Sequence, residues 1–171
     1  MEPLGKIVMG LITTKIKACI FPQLNQFPQF GFLPYRAATD AILRVSHHSR
    51  SVREMVAAHR RTTKNQIANQ AKLTICGGLS LFLDLNRAFD SADRRAIFEH
   101  LIQLGTPPNL VQLAASWHED THYNLSFRGA TTSVPVGKGL RQGCKLAPLL
   151  WVSFMDLLLR QVAQITGYQW V

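Results

Sequence analysis

Acidic residues are few in this chain: ten Asp and Glu stand against nineteen Lys and Arg, a formal charge of +9 and a pI near 10.0. So little negative charge favours polyanionic partners such as nucleic acid. Cysteine is scarce too. Cys19, Cys76 and Cys144 are odd in number and far apart, which suits neither a disulfide framework nor a Cys-type zinc site. The spacing fits reduced thiols in an intracellular protein. Long apolar runs are missing, because the longer uncharged stretches carry Pro, Gln and Asn; no membrane span is expected. The apolar run at 7–12 is short and followed by Lys15 and Lys17, so no signal peptide is expected either. No repeat, low-complexity tract or linker interrupts the chain. An intracellular protein is expected, and no compact basic cluster chooses between nucleus and cytoplasm.

What is present is enough for one domain with a sizeable core: 171 residues, 47% of them apolar. Residues 4–20 have helical spacing, with Leu4, Ile7, Val8, Leu11, Ile12, Ile16 and Ile20 able to share a face and Pro22 ending the segment. Residues 23–35 form a loop in which Phe27, Phe30 and Phe32 are expected as core plugs, with stacking against bases as the alternative. Residues 36–72 contain no Pro and no Gly and read as mainly helical, with Ala41, Ile42, Val45, Val52, Met55, Val56 and Ile67 as the buried stripe. That segment holds eight Lys or Arg against Asp40 and Glu54, 8 − 2 = +6. It is either a solvated helical face or a surface that tracks phosphates. His47, His48 and His59 lack carboxylate or Cys partners at ligand spacing and are read as surface or cap residues.

The run at 79–85, bounded by Gly77 and Gly78, predicts a strand buried on both faces. Asp84 closes it. A carboxylate there is costly to bury unless it is paired, hydrogen-bonded or metal-bound, and ligands gather at the open ends of sheets; Asp84 is therefore either a candidate for chemistry or a solvated strand-end carboxylate. Asp90 or Ser91 can cap a helix that runs to Leu104 and is closed by Gly105, with Ile97, Leu101, Ile102 and Leu104 on its apolar side. Pro107 and Pro108 open a further helix to about Trp117. Alternation at 123–127 and 132–136, with Arg128, Gly129 and Ala130 between, predicts a β-hairpin with Pro135 on an edge strand. A basic glycine loop at 137–144 leads into an apolar helix from Lys145 or Leu146 to about Ile165. Glycines let backbone amides approach a ligand, and a helix N-terminus favours anions. A carboxylate facing such a loop suits a metal-bound nucleotide. Asp156, inside the last helix, is expected at the helix surface or an interface.

Three segments, in order, resemble one family. Residues 82–90, Phe-Leu-Asp-Leu-Asn-Arg-Ala-Phe-Asp, are similar to the first palm motif of reverse transcriptases of the non-LTR retrotransposon (LINE-like) and group II intron type. Residues 139–150, Gly-Leu-Arg-Gln-Gly-Cys-Lys-Leu-Ala-Pro-Leu-Leu, resemble their second palm motif, and residues 29–36 with 40–42 the fingers segment before the palm. The resemblance covers nearly the whole chain. It implies an α+β fold: a helical fingers-like part, 1–75, then a palm-like part, 76–171, with an antiparallel ferredoxin-like sheet lacking its last hairpin. It also implies roles. Asp84 would be a catalytic, metal-binding carboxylate, with the backbone carbonyl of Leu85 as a further ligand for Mg²⁺. Phe89 would lie beneath the incoming sugar and exclude a 2′-hydroxyl, a role compatible with a core aromatic. Gln142 and Gly143 would border the nucleotide and template base. Arg141 stands as a phosphate contact or a structural ion pair. Arg36, Arg44, Arg53, Arg60, Arg61 and Lys138 would face an RNA template and DNA primer, and a dNTP would be the substrate.

Departures from the family pattern fall at Tyr35, Ala37 and Ala38, in place of Gly, Ser and Thr, and at Lys145 and Ala147, in place of Pro and Ser. The family's later hairpin with two adjacent Asp residues, and its basic fingers strands, have no counterpart in these 171 residues, which contain no Asp-Asp pair. One carboxylate holds two divalent cations poorly, so the expectation is a fragment with little polymerase activity by itself, an unpaired sheet edge and marginal stability. A non-catalytic nucleic-acid-binding remnant is the alternative. A phosphorylated receiver-like module fits badly, given the charge and the hairpin.

Overall fold

The computed structural model describes residues 3–24, 28–59 and 77–167. They form α1 (Pro3–Leu24), α2 (Ala38–His59), α3 (Ala88–Ser91), α4 (Arg94–Gln103), α5 (Pro108–Ser116), β1 (His122–Phe127), β2 (Ala130–Pro135) and α6 (Ala147–Thr166). The architecture is α+β. The chain divides into two compact units, residues 1–34 with 85–171, and residues 35–84.

The first unit is built on helices. α4 packs against α5 and α6, and α1 against α5 and α6. Ile97 and Leu101 of α4, Val111 and Ala114 of α5, and Leu149, Leu150 and Val152 of α6 meet in the core. α1 contributes Met9, Ile12, Ile16, Ile20 and Leu24. This stripe differs from the expected one: Leu4, Ile7 and Leu11 are exposed. The apolar arc of α1 is wide enough for either flank to turn inward, and packing on α5 and α6 selects the flank that begins at Met9. α1 also continues through Pro22 to Leu24. Pro22 removes one backbone donor in the last turn, while burial of Ile20 and Leu24 holds that turn in place. In the loop after it, Leu33 is the buried plug, and Phe32, at a φ of 59°, points outward. Phe30 is half-buried, and Phe27 lies outside the described residues.

The helix starts follow local chemistry, with one shift. Asp93, rather than Asp90 or Ser91, caps α4: its Oδ1 accepts from the amides of Arg95 and Ala96 at 2.9 and 3.3 Å. Residues 88–91 form the separate short turn α3. Gly105 closes α4 with a φ of +85°, as a C-terminal glycine does. Ile102 stays exposed while Ile97, Leu101 and Leu104 are buried. Pro108 opens α5, and Gly167 ends α6 in the left-handed conformation.

Asp156 corrects the sequence reading. It is 2% exposed, and its Oδ2 accepts from His100 Nε2 at 2.7 Å and from Arg160 Nε at 2.8 Å. The carboxylate tolerates burial because α4 brings a partner to it, which spacing within α6 could not reveal.

Two further expectations are overturned. Residues 79–85 form no strand, and Leu79, Leu81, Phe82 and Leu83 are largely exposed. A strand requires neighbours for its backbone groups, and among the described residues the one sheet is the β1–β2 pair. Among the described residues this hairpin is the whole of the sheet. In the second unit, α2 buries no residue fully, and Ile42, Val45, Met55 and Val56 of its expected stripe are exposed. Gly78 packs on Val52, whose Cγ2 lies 2.6 Å from where a Cβ would stand. Ile67 lies outside the described residues.

Burial sets the expected energetics. Leu101→Ala, at a side chain 0% exposed, should cost about 2–5 kcal/mol in urea denaturation. Leu83→Ala, at a side chain 82% exposed, should stay within about 0.5 kcal/mol. Equal losses would show that 79–85 is buried after all.

Candidate nucleotide-side site

The two motif segments within the first unit come together through the backbone. Leu140 N–H donates to the carbonyl of Phe89 at 2.7 Å, and Gly139 N–H to that of Ala92 at 2.9 Å. Gly139 has a φ of +86°, and a Cβ there would stand 2.6 Å from Asp90 O. Only a glycine gives the loop this close approach. Phe89 is half-buried and stacks on Trp151 of α6, ring centroids 5.2 Å apart and planes 22° from parallel.

Arg94 secures the same loop from below. Its Nε donates to Gly139 O at 2.5 Å, one terminal nitrogen to His118 O and Val136 O at 2.7 and 3.1 Å, and the other to Lys138 O at 3.2 Å. A planar guanidinium suits four carbonyls spread in this way. Burial lowers the Arg94 guanidinium from its ordinary value; Tyr123 opposes this and Arg141 adds to it. Sequence reasoning missed Arg94, which follows the cap residue Asp93 and looks there like any helix-surface arginine.

The loop then presents its polar residues outward. Lys138, Arg141, Gln142 and Gly143 are exposed. The Cys144 amide donates to Arg141 O at 3.2 Å, and Gly143, at a φ of +81°, supplies the left-handed residue of that turn. Cys144 and Leu146 are buried beneath it, and α6 begins at Ala147. The cationic loop thus precedes a helix N-terminus, a place that favours anions.

The structure brings Phe89, Lys138, Arg141, Gln142 and Gly143 into one unit. Leu85 belongs to the same unit and is exposed. Asp84, also exposed, belongs to the other unit, as do Arg36, Arg44 and Arg53. Arg44 and Arg53 stand exposed on α2, and Arg36 is half-buried. Arg60 and Arg61 lie outside the described residues. Among the described residues, no three His, Cys, Asp or Glu side chains gather where they could hold a metal ion. This donor set does not fit the oxygen shell that Mg²⁺ requires, so no step through the metal is derived. No helix among the described residues is long and apolar enough to cross a membrane.

The chain belongs to the reverse transcriptase (RNA-dependent DNA polymerase) family, which matches residues 1–171. Two retrotransposon proteins illustrate the similarity. The Retrovirus-related Pol polyprotein from type-1 retrotransposable element R2 of Nasonia vitripennis is 28% identical over 100 residues, 58% of this chain and 10% of that protein. The Retrovirus-related Pol polyprotein from type-2 retrotransposable element R2DM of Drosophila melanogaster is 32% identical over 87 residues, 50% of this chain and 8% of that protein. The chain thus spans a tenth or less of the curated relatives it matches. No solved structure gives a significant match. The resemblance to reverse transcriptases of the non-LTR retrotransposon type is borne out.

Gly139→Ala should lower stability by more than about 1 kcal/mol and speed exchange of the Leu140 amide. Gly143→Ala, with open space around the added Cβ, should carry the backbone strain alone and leave that amide protected. Equal effects from the two would show that the approach to Asp90 is not what matters. A second expectation concerns pH. His118 is 3% exposed and its Nδ1–H donates to Ala114 O at 2.9 Å. Burial lowers its pKa from the ordinary 6.5, the Ala114 bond opposes this, and Arg94 and Arg141 add to the lowering. The folded state therefore resists protonation. The resulting stability is full above about pH 6.5 and is lost as pH falls from there toward the lowered value. Unfolding free energies at a series of pH values should fall more steeply for the native chain than for His118→Gln. Parallel curves would refute this.

Proposed function

We propose that this chain is the nucleotide- and template-side portion of an RNA-directed DNA polymerase of retrotransposon type. The latch of Gly139 and Leu140 onto residues 89–92 carries the reading. It joins the two segments that resemble palm motifs, so that Phe89 and the turn at 141–144 are held by one backbone scaffold. In this reading the dNTP lies over that scaffold. Phe89 sits under the sugar, Gln142 and Gly143 border the base pair, and Arg141 and Lys138 meet phosphate. Asp84 would offer one carboxylate and the Leu85 carbonyl one further oxygen, too few by themselves to hold a Mg²⁺. The remaining metal-holding groups come from elsewhere in the larger polymerase. Residues 1–75 serve as the fingers-like part and 76–171 as the palm-like part. The RNA template and DNA primer follow the basic residues Arg36, Arg44, Arg53, Arg60 and Arg61.

A second reading is a nucleic-acid-binding module without catalysis. α2 buries no residue fully, and its exposed Arg44, Arg50 and Arg53 favour it. Such a surface binds through phosphates and without base preference.

The test is primer extension on an RNA template by a polymerase that contains this chain and a downstream pair of adjacent Asp residues. Extension with dNTPs is expected, and Asp84→Asn should abolish it. Phe89→Val should raise ribonucleotide use relative to deoxyribonucleotide use by about 10- to 100-fold. Undiminished extension by Asp84→Asn would remove the catalytic reading. Salt-sensitive binding without any extension would favour the binding module.

A further inference from the structure

Residues 121–155 contain no carboxylate and carry Arg128, Lys138, Arg141 and Lys145. This stretch holds the hairpin and the loop before α6. Its register pairs Tyr123 with Val134, Leu125 with Thr132 and Phe127 with Ala130, so these six side chains share one face. The face is largely apolar and uncovered: Tyr123 is 55% exposed and Phe127 74%. The opposite face carries Asn124, Ser126, Thr131 and Ser133. A two-residue turn, Arg128–Gly129, joins the strands with both φ angles positive, which matches their twist. At this tip the Arg128 guanidinium lies 5.2 Å from the centre of the Phe127 ring. At the root, Tyr123 and Val134 line a cleft of about 450 Å³ together with Lys138, Arg141 and Asp90.

We propose that this hairpin face and the cleft at its root bind single-stranded nucleic acid. Bases stack on Tyr123 and Phe127, which stand roughly 13 Å apart along the strand. Arg128, Lys138 and Arg141 meet the phosphates, and the cleft leads the strand toward the loop at 139–143. Two observations select this occupant over a protein. Residues 121–155 supply four Lys or Arg and no carboxylate, and Asp90 is the one carboxylate beside Lys138 and Arg141 in the cleft. Its apolar residues include two exposed rings, and rings stack on any base. A duplex keeps its base faces hidden, so unpaired bases are required. The proposal deepens the polymerase reading, and rests on it for identifying the strand as template.

The test is fluorescence anisotropy of the full 171-residue chain with a labelled oligouridine of about 12 nucleotides and with an RNA duplex of the same length. Tighter binding of the single strand is expected. Tyr123→Leu and Phe127→Leu should each weaken it by about 5- to 150-fold, the range for losing one base–aromatic stack. Trp at either position should restore binding. Leucine keeps apolar contact across the hairpin, and circular dichroism checks the fold. The slope of log affinity against log salt should be unchanged in the Leu variants and about 0.7 shallower in Arg128→Gln. Leu variants that bind like the native chain would overturn the proposal, as would equal affinity for duplex. A dimer dissolved by Phe127→Arg with RNA binding intact would also overturn it, in favour of a second copy. The polymerase reading fails separately: Asp84→Asn with undiminished extension, alongside weakened binding by the Leu variants, would remove that reading and leave the stacking surface standing.

Discussion

A half-buried guanidinium beneath a loop sets the geometry of the candidate site. Arg94 reaches the carbonyls of His118, Val136, Lys138 and Gly139, and so ties the end of α5, the end of the hairpin and the glycine loop to the start of α4. None of these carbonyls lies within a regular ladder. Without donors, buried carbonyls in such connections carry a desolvation cost. One arginine reaches all four, Thr121 Oγ1 adding a second donor at His118 O, and the Gly139 and Leu140 amides then find their acceptors at Ala92 and Phe89. The loop that presents Arg141, Gln142 and Gly143 is shaped from below rather than by its own side chains.

The helices beneath give that arrangement a floor. Phe89 stacks on Trp151, and Trp151 contacts Phe154 along α6. The same helix carries Asp156 to His100, which joins α6 to α4 through a buried polar contact. A pair of this kind specifies how two helices align more than it stabilises them, because desolvation offsets most of the attraction. In the same unit, polar and apolar groups are left open to solvent: the cationic loop and the aromatic hairpin face. Exposed surface of this sort on a basic chain fits a partner that is large, anionic and able to stack.

Much of the local structure was legible in the residues. The proline at 108, the glycines at 105 and 129, and the alternation at 123–127 define their turns and strands because each acts through its own backbone geometry. The hairpin differed in its turn and second strand: Ala130 pairs with Phe127, so two residues connect the strands, and β2 runs from Ala130 to Pro135 rather than over 132–136. The family, too, was legible, since motif order and spacing are properties of sequence. Burial was read less well. The inward flank of α1, the exposure of residues 79–85 and the open face of α2 depend on which neighbours arrive, and composition is silent about neighbours.

The sequence by itself determined the family, the helices and the hairpin, and a charge suited to nucleic acid, because these rest on residue type and short-range spacing. Only the tertiary structure decided that Arg94 holds the loop, that Gly139 closes on Asp90, and that Asp156 turns inward to His100. Each of these joins residues more than forty positions apart, and such contacts exist only once the helices have packed.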